Sequence, residues 1–455
     1  MYIARAARGR NRKPAKPPGE SGRQEFSRTS PVLGRGSSSR FLLRFIYWQE
    51  YRAPLPTDRA GVKEVSLNRK RICSLMTLAC GALAIAVATL CPPPLRAQAG
   101  VPKFEVDPYW PKPLPDRWVT GEIGGVCVDS QDHVFIVQRV NDVGGMDGHM
   151  EGLTDDELTA GQSAPPVIEF DVEGNVVNSW GDPNLLPKDL HGCAIDHDGH
   201  VWLNGSEDGI VQEYSHDGRE LLLQIGKRGV FDSSDGTVTG TPLNSSPMQF
   251  FRVSEIAFDP HSGDVYVADG HAKGRGGNNF RIVVFDHGGH YLRQWSVHRS
   301  SEEVRTAAAP TPHCVRVSND GLVYVCDRWM NRVQVFDTMG NFKKNITFAF
   351  KIWTPISAAG AGARRDAMLV GSASSVEFSR DESQRRMYVI NEIDEQIDVV
   401  DRLTGHVLES FGRPGHQVGE FMHAHTMALD SKGNIYVGES VDGRRVQKFE
   451  MVGSK

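Results

Sequence analysis

His191, His313 and His425 each stand five residues before the same position of a recurring segment, the position held by Asp196, Ser318 and Asp430. In the three other copies of that segment the matching residues are Gly124, Ser254 and Ser374, all small. A single histidine ahead of a strand is most often solvated or hydrogen-bonded, and the chain has 16 histidines. Three of them at one register on alternate copies point instead to a shared site. Three neutral imidazoles with a fourth position open make a catalytic-type zinc set, with Zn–N distances of about 2.0–2.1 Å. Imidazole also suits copper, iron and nickel, so the site is better specified than the metal.

Other residues able to do chemistry follow the second strand of their copies: Gln138-Arg139, Asp269-Gly270-His271 and Asp327-Arg328-Trp329. Antiparallel strands return the chain to the rim it started from, so these residues face the end where the histidines enter. Arg139 and Arg328 can hold a substrate carboxylate through two parallel hydrogen bonds, or serve as ion pairs between repeat units. His271 can act as a base near neutral pH, or be a loop residue beside the glycine-rich stretch 273–279. An insertion at 140–166, rich in glycine and acidic residues, leaves from the same rim as a lid or a mobile loop.

The elements that must position these groups are repeats with a spacing of roughly 40–70 residues. Each copy has a short apolar strand, a polar glycine-containing turn, and a strand of the type Val-Tyr-Val. Cys314-Val-Arg-Val-Ser-Asn-Asp-Gly-Leu-Val-Tyr-Val and Thr426-Met-Ala-Leu-Asp-Ser-Lys-Gly-Asn-Ile-Tyr-Val show the pattern; the copy from Ser375 is the weakest. Period-2 alternation and Asp-Gly turns predict hairpins, not helices. Third and fourth strands follow, as in Arg281-Ile-Val-Val-Phe and Tyr291-Leu-Arg-Gln-Trp. Six units of four antiparallel strands predict an all-β, six-bladed propeller. Alternate blades of such a ring are about 120° apart, which aims the three histidines at the central channel. The sixth unit ends after its third strand, 445–449, so residues 103–106 are expected to supply the missing strand and close the ring.

Composition bounds the function. The 455 residues are 39% hydrophobic and 24% charged, enough for a large core without metal or disulfide staples. The formal charge of -5 hides an asymmetry: residues 1–99 hold 18 Lys+Arg against 5 Asp+Glu, and the rest 33 against 51. The acidic body is no nucleic-acid binder. No glycine-rich phosphate cradle or Cys-x-x-Cys pair occurs in it. Residues 1–71 read as a basic, disordered extension or a miscalled start. Asn68-Arg-Lys-Arg, the uncharged run 72–91 and Ala97-Gln-Ala99 form a secretory signal, 72–99, cleaved before Gly100; the alternative is a membrane anchor at 72–91. Residues 100–455 form the propeller. Of the seven cysteines, Cys314 and Cys326 flank one hairpin and can pair across it after export, or serve as buried apolar fillers.

The repeats resemble the NHL family, most clearly from Gly419-Glu-Phe through Val446-Gln-Lys-Phe449. Leu190-His191-Gly192, Pro312-His313-Cys314 and Ala424-His425-Thr426, each opening a blade, together with Gln138-Arg139, resemble the peptidyl-α-hydroxyglycine α-amidating lyases. The resemblance implies a zinc on the three histidines and substrate binding by Arg139. The family's catalytic tyrosine in an Asp-Gly-Tyr turn corresponds here to His271, and its methionine near the zinc to His423. Thr426 stands where the family has an aspartate on a structural calcium, so the calcium does not carry over.

The first expected function is therefore an exported zinc-dependent lyase acting on a small or peptide α-hydroxy, carbinolamide-like substrate that bears a carboxylate. The alternative is a non-catalytic interaction propeller, which has no need of the histidine register. A calcium-dependent lactone hydrolase ranks last, because the register carries no acidic residues.

Overall fold

The protein is described by a computed structural model covering residues 100–139, 161–271, 278–305, 310–348, 372–441 and 443–454. The extension 1–71, the signal segment 72–99 and most of the insertion 140–166 lie outside the described residues. Valine, isoleucine, tyrosine and phenylalanine alternate with polar residues along the chain, and nearly every such run is a strand. Ser301–Arg305 is the one α-helix among the described residues.

The strands form six four-stranded antiparallel sheets, each a blade. Their first strands are Ile123–Val128, Leu190–Ile195, Val253–Phe258, Pro312–Val317, Ala373–Phe378 and Ala424–Leu429. These strands touch their counterparts in neighbouring blades and are mostly buried. The fourth strands are much more exposed, as in Leu221–Ile225 and Val407–Phe411. The fold is thus a six-bladed propeller with the first strands around the axis. Trp118–Val119 and the insertion's Gln162–Ser163 add a small parallel pair beside blade 1.

A sheet can bury its faces only against the next sheet, so the core is divided into clusters between blades. Cys127, Phe135 and Val137 of blade 1 pack on Cys193, Leu203 and Tyr214 of blade 2. Ala268, Ile282 and Val284 of blade 3 meet Val315, Val325 and Phe336 of blade 4 in the same way. Glycine is obligatory at the turn between the third and fourth strands of blade 4. Gly340, at φ +84°, lies against the Trp295 indole, where a Cβ would come within 2.6 Å of the ring.

The sixth sheet has the order Pro102–Asp107, Val446–Ser454, Ile435–Glu439, Ala424–Leu429. Val106 pairs with Phe449, Glu105 with Glu450 and Phe104 with Met451. The Phe104 ring stacks on Phe411, 5.0 Å between centroids, and meets Tyr388 edge-on at 5.5 Å. This aromatic contact ties the first described strand to blade 5 as well as blade 6. Phe104→Ala should therefore lower global stability by roughly 2–3 kcal/mol in a single cooperative transition, read by denaturant unfolding. An unchanged midpoint would mean that the strand is an ornament on an already closed ring.

Two disulfides are present among the described residues. Cys314 and Cys326 are directly paired across the first hairpin of blade 4, with Cα atoms 4.8 Å apart. Cys127 and Cys193 join the first strands of blades 1 and 2, with Cα atoms 5.6 Å apart. The second pair was not foreseen: its members are 66 residues apart and become neighbours only when the blades pack.

Candidate metal centre

Each first strand carries a register shift at the position that holds the histidine or small residue. Leu190 pairs with Gly205 and Gly192 with Asn204, which leaves His191 unpaired in between. The same irregularity isolates His313 between Pro312 and Cys314, and His425 between Ala424 and Thr426. Gly124, Ser254 and Ser374 occupy the matching irregularities of the other blades. A bulge re-aims one side chain out of the normal alternation. Here it turns three imidazoles toward the axis, which sequence spacing alone did not explain.

The three rings form a nearly equilateral triangle. Their centroids are 4.9 Å apart for His191 and His313, 4.7 Å for His191 and His425, and 5.0 Å for His313 and His425. One ring nitrogen from each lies within 4.8 Å of the other two. All three side chains are buried.

The small residues on the alternate blades have a second job. His191 Nδ1 donates to the carbonyl of Ser254 and His313 Nδ1 to the carbonyl of Ser374, both at 2.7 Å. A carbonyl can only accept, so each Nδ1 carries the proton and each Nε2 keeps its lone pair. The Nε2 of His191 is buried with no partner, as is Nδ1 of His425. The Ser254 hydroxyl ties its blade to the next by donating to Pro312 O at 2.7 Å. Burial, aided by the nearby Arg139 charge, pushes the His191 imidazole down to about 3. Burial likewise holds His313 and His425 well below the ordinary range, helped by Arg328 and by the neighbouring rings. The trio is therefore neutral at physiological pH, the form that binds a metal. Converging nitrogens, a buried nitrogen without a partner and the fixed tautomers of His191 and His313 fit a divalent ion.

His271 belongs to the same cluster. Its ring is 4.2 Å from that of His191 and 5.8 Å from that of His313. It too is held neutral by burial, and its Nδ1 is buried without a partner. Gly270, just before it, has no room for a side chain: a Cβ would lie 2.3 Å from the Pro312 ring. The residues that follow, 272–277, lie outside the described residues.

Arg328 and Arg139 flank the triangle. Arg328 Nη1 lies 2.8 Å from His313 Nε2, and its Nε is 3.4 Å from Glu392. Arg328 and a metal would thus compete for one lone pair. Burial pushes Glu392 up to about 8 even with this guanidinium alongside. Arg139 is buried, bonded to Glu122 and to Leu190 O, with Nε 2.9 Å from Asp189. Glu122, Asp189 and Glu392 were missed in the sequence, because nothing marks a carboxylate as the partner of an arginine many residues away. His423 sits at φ +53° two residues before His425, and its backbone N–H bonds Glu395.

The chain matches the NHL repeat family over residues 310–336. It is 27% identical over 251 residues to peptidyl-glycine α-amidating monooxygenase A of Xenopus laevis, covering 53% of this chain and 24% of that protein. To the B form from the same organism it is 24% identical over 348 residues, covering 74% of this chain and 34% of the other. NHL repeat-containing protein 3 of Homo sapiens is 26% identical over 181 residues, 39% of this chain and 46% of that one. The chain thus spans a quarter to a third of the amidating enzymes' length. A solved virginiamycin B lyase from Staphylococcus aureus superposes with a TM-score of 0.45 at 12% identity, covering 77% of this chain and 100% of that one. The chain is a six-bladed propeller with an NHL repeat at 310–336, and it is similar over part of its length to the amidating monooxygenases.

Proposed function

We propose that this NHL-repeat propeller is an exported, metal-dependent lyase that cleaves a carboxylate-bearing, carbinolamide-like substrate in its channel. The observation that carries the reading is the triangle of bulge-borne histidines with neutral, converging nitrogens. The similarity to peptidyl-glycine α-amidating monooxygenases supports the reaction class. Two disulfides support an oxidising compartment, and with it export. No helix among the described residues is long and apolar enough to cross a membrane.

His191, His313 and His425 would hold the metal, zinc in first place, which supplies Lewis-acid polarisation of the substrate's oxygen. The protein's own groups do the rest. Arg328 places positive charge where the substrate carboxylate docks, and Arg139, held by Glu122 and Asp189, lines the same rim. His271, neutral and lodged against His191, accepts the proton of the α-hydroxyl group. The carbon–oxygen bond then becomes a carbonyl as the carbon–nitrogen bond breaks, and the departing amide nitrogen takes up a proton. The balance is one carbinolamide giving one amide and one α-keto or aldehyde acid, with no oxidant needed. Wet, mobile bases are poor at this; a buried imidazole beside the reacting carbon holds its orientation.

The test is glyoxylate release from an α-hydroxyglycine peptide by the zinc-loaded full chain. His271→Ala should lower kcat by about 10²–10⁴-fold while leaving the zinc content unchanged. Release that is absent from the wild type, with the metal in place, would overturn the amidating-lyase reading and favour a binding propeller.

A further inference from the structure

In blades 2, 3 and 5 the turn after the third strand lies on the rim opposite the channel histidines and reaches back to the preceding blade. Arg402 shows the form this latch takes between blades 4 and 5. Its Nη1 and Nη2 lie 2.8 and 3.0 Å from the Asp320 carboxylate, and Nη1 is 3.0 Å from the Tyr324 hydroxyl. In blade 3 the corresponding turn residue is His287. The surface of blade 2 that it meets differs from that of blade 4. Trp202 stands in place of Tyr324, and the residue paired with it on the third strand is Glu213 where blade 4 has Val335.

One ligand atom from each of Asp196, His200, Glu213 and His287 lies within 4.8 Å of all the others. His200 Nδ1 is 2.7 Å from Glu213 Oε1 and 3.6 Å from Asp196 Oδ2. The two carboxylates are buried, whereas the imidazoles are about a third exposed. His287 Nε2 is 3.4 Å from Asp198, and its Nδ1 is buried with no hydrogen-bond partner. Asp196 accepts from Trp202 Nε1 at 2.8 Å and from the backbone N–H groups of Asp198 and His200, and Glu213 pairs with His200, which leaves the His287 ring nitrogen as the orphan of the set. Burial raises the Glu213 carboxyl accordingly.

We propose that Asp196, His200, Glu213 and His287 bind a divalent transition-metal ion that latches blade 2 to blade 3. Two imidazoles and two carboxylates are a closed four-coordinate set, suited first to zinc and lacking the open position of a catalytic site. The groove between blades 1 and 2 is the internal contrast. It carries the same residue types in Asp129, His133, Glu169 and His216. There the pairing is complete: His133 Nδ1 is 2.7 Å from Glu169 and His216 Nε2 is 3.0 Å from Asp129. The blade 2–3 groove is the one with a nitrogen left over.

The experiment uses the full chain with His313→Ala and His425→Ala, so that the channel no longer counts. After dialysis against zinc chloride and then metal-free buffer, elemental analysis should find one zinc per chain. Adding His287→Arg should remove it and abolish the zinc-dependent rise in Tm. The ring should still fold, because Arg402 already shows an arginine filling this position. His216→Arg should leave the zinc in place. The proposal falls if the channel-deficient chain holds no zinc, if His287→Arg retains it, or if His216→Arg is the change that removes it. Should the channel variants not fold, the otherwise unaltered chain compared with His287→Arg reads the same loss of one equivalent.

Discussion

His313→Ala is expected to abolish metal binding by the channel histidines and, with it, the proposed turnover. The loss should exceed the roughly 10–100-fold in affinity that follows removal of a group merely supporting a ligand, because His313 is itself one corner of the triangle. A chelator competition series measures it. The substitution also leaves the Ser374 carbonyl without its imidazole donor and removes one of the contacts of Arg328, costing about 1–3 kcal/mol of stability. A folded chain at 25 °C, checked by circular dichroism, separates the two effects. Undiminished metal content in a folded variant would remove His313 from the site.

Gly124→Ala should be the most damaging single methyl group in the inner ring. A Cβ there would lie 2.0 Å from the Leu190 carbonyl oxygen and 3.3 Å from the Cα of His191. Both are backbone atoms of blade 2, so neither can rotate away. The strands must separate, at a cost of about 3 kcal/mol, the upper end for overpacking. Because Leu190 and His191 move together, metal affinity should fall as well, although Gly124 touches no metal. Urea unfolding and a zinc titration on the same preparation test the pair of effects. Lost stability with unaltered zinc binding would show that the bulge absorbs the strain without moving the imidazole.

The blades were legible because alternation, Asp-Gly turns and Val-Tyr-Val strands recur with one spacing, and each is a local property of the chain. The histidine trio was legible for a related reason: in a closed ring, register along the repeat is position around the axis. What the sequence did not disclose depends on backbone geometry or on packing. The bulge that frees His191, His313 and His425 from alternation is a matter of hydrogen-bond register. Ser254 and Ser374 act through their carbonyls, which every residue possesses, so their side chains gave only the hint of small size. The bond between Cys127 and Cys193 needs two blades in contact. His271 was placed at the right rim by strand direction, but its contact with the His191 ring came from the loop's path.

The pairing of Pro102–Asp107 with Val446–Ser454 has a consequence for the order in which the molecule is made. The two strands of that seam are the most widely separated partners in the sheet network. Closing such a long loop must be completed before its contacts return anything, which makes the seam a slow, late event in folding. The channel is assembled on the same schedule. His191 is in place early in synthesis, but His425 arrives only with the last blade. A partly synthesised chain therefore has two corners of the triangle at most, and its last blades wait with open sheet edges. Folding helpers that shield those edges, and a metal site completed only after closure, are what a ring sealed by strands so far apart in sequence requires.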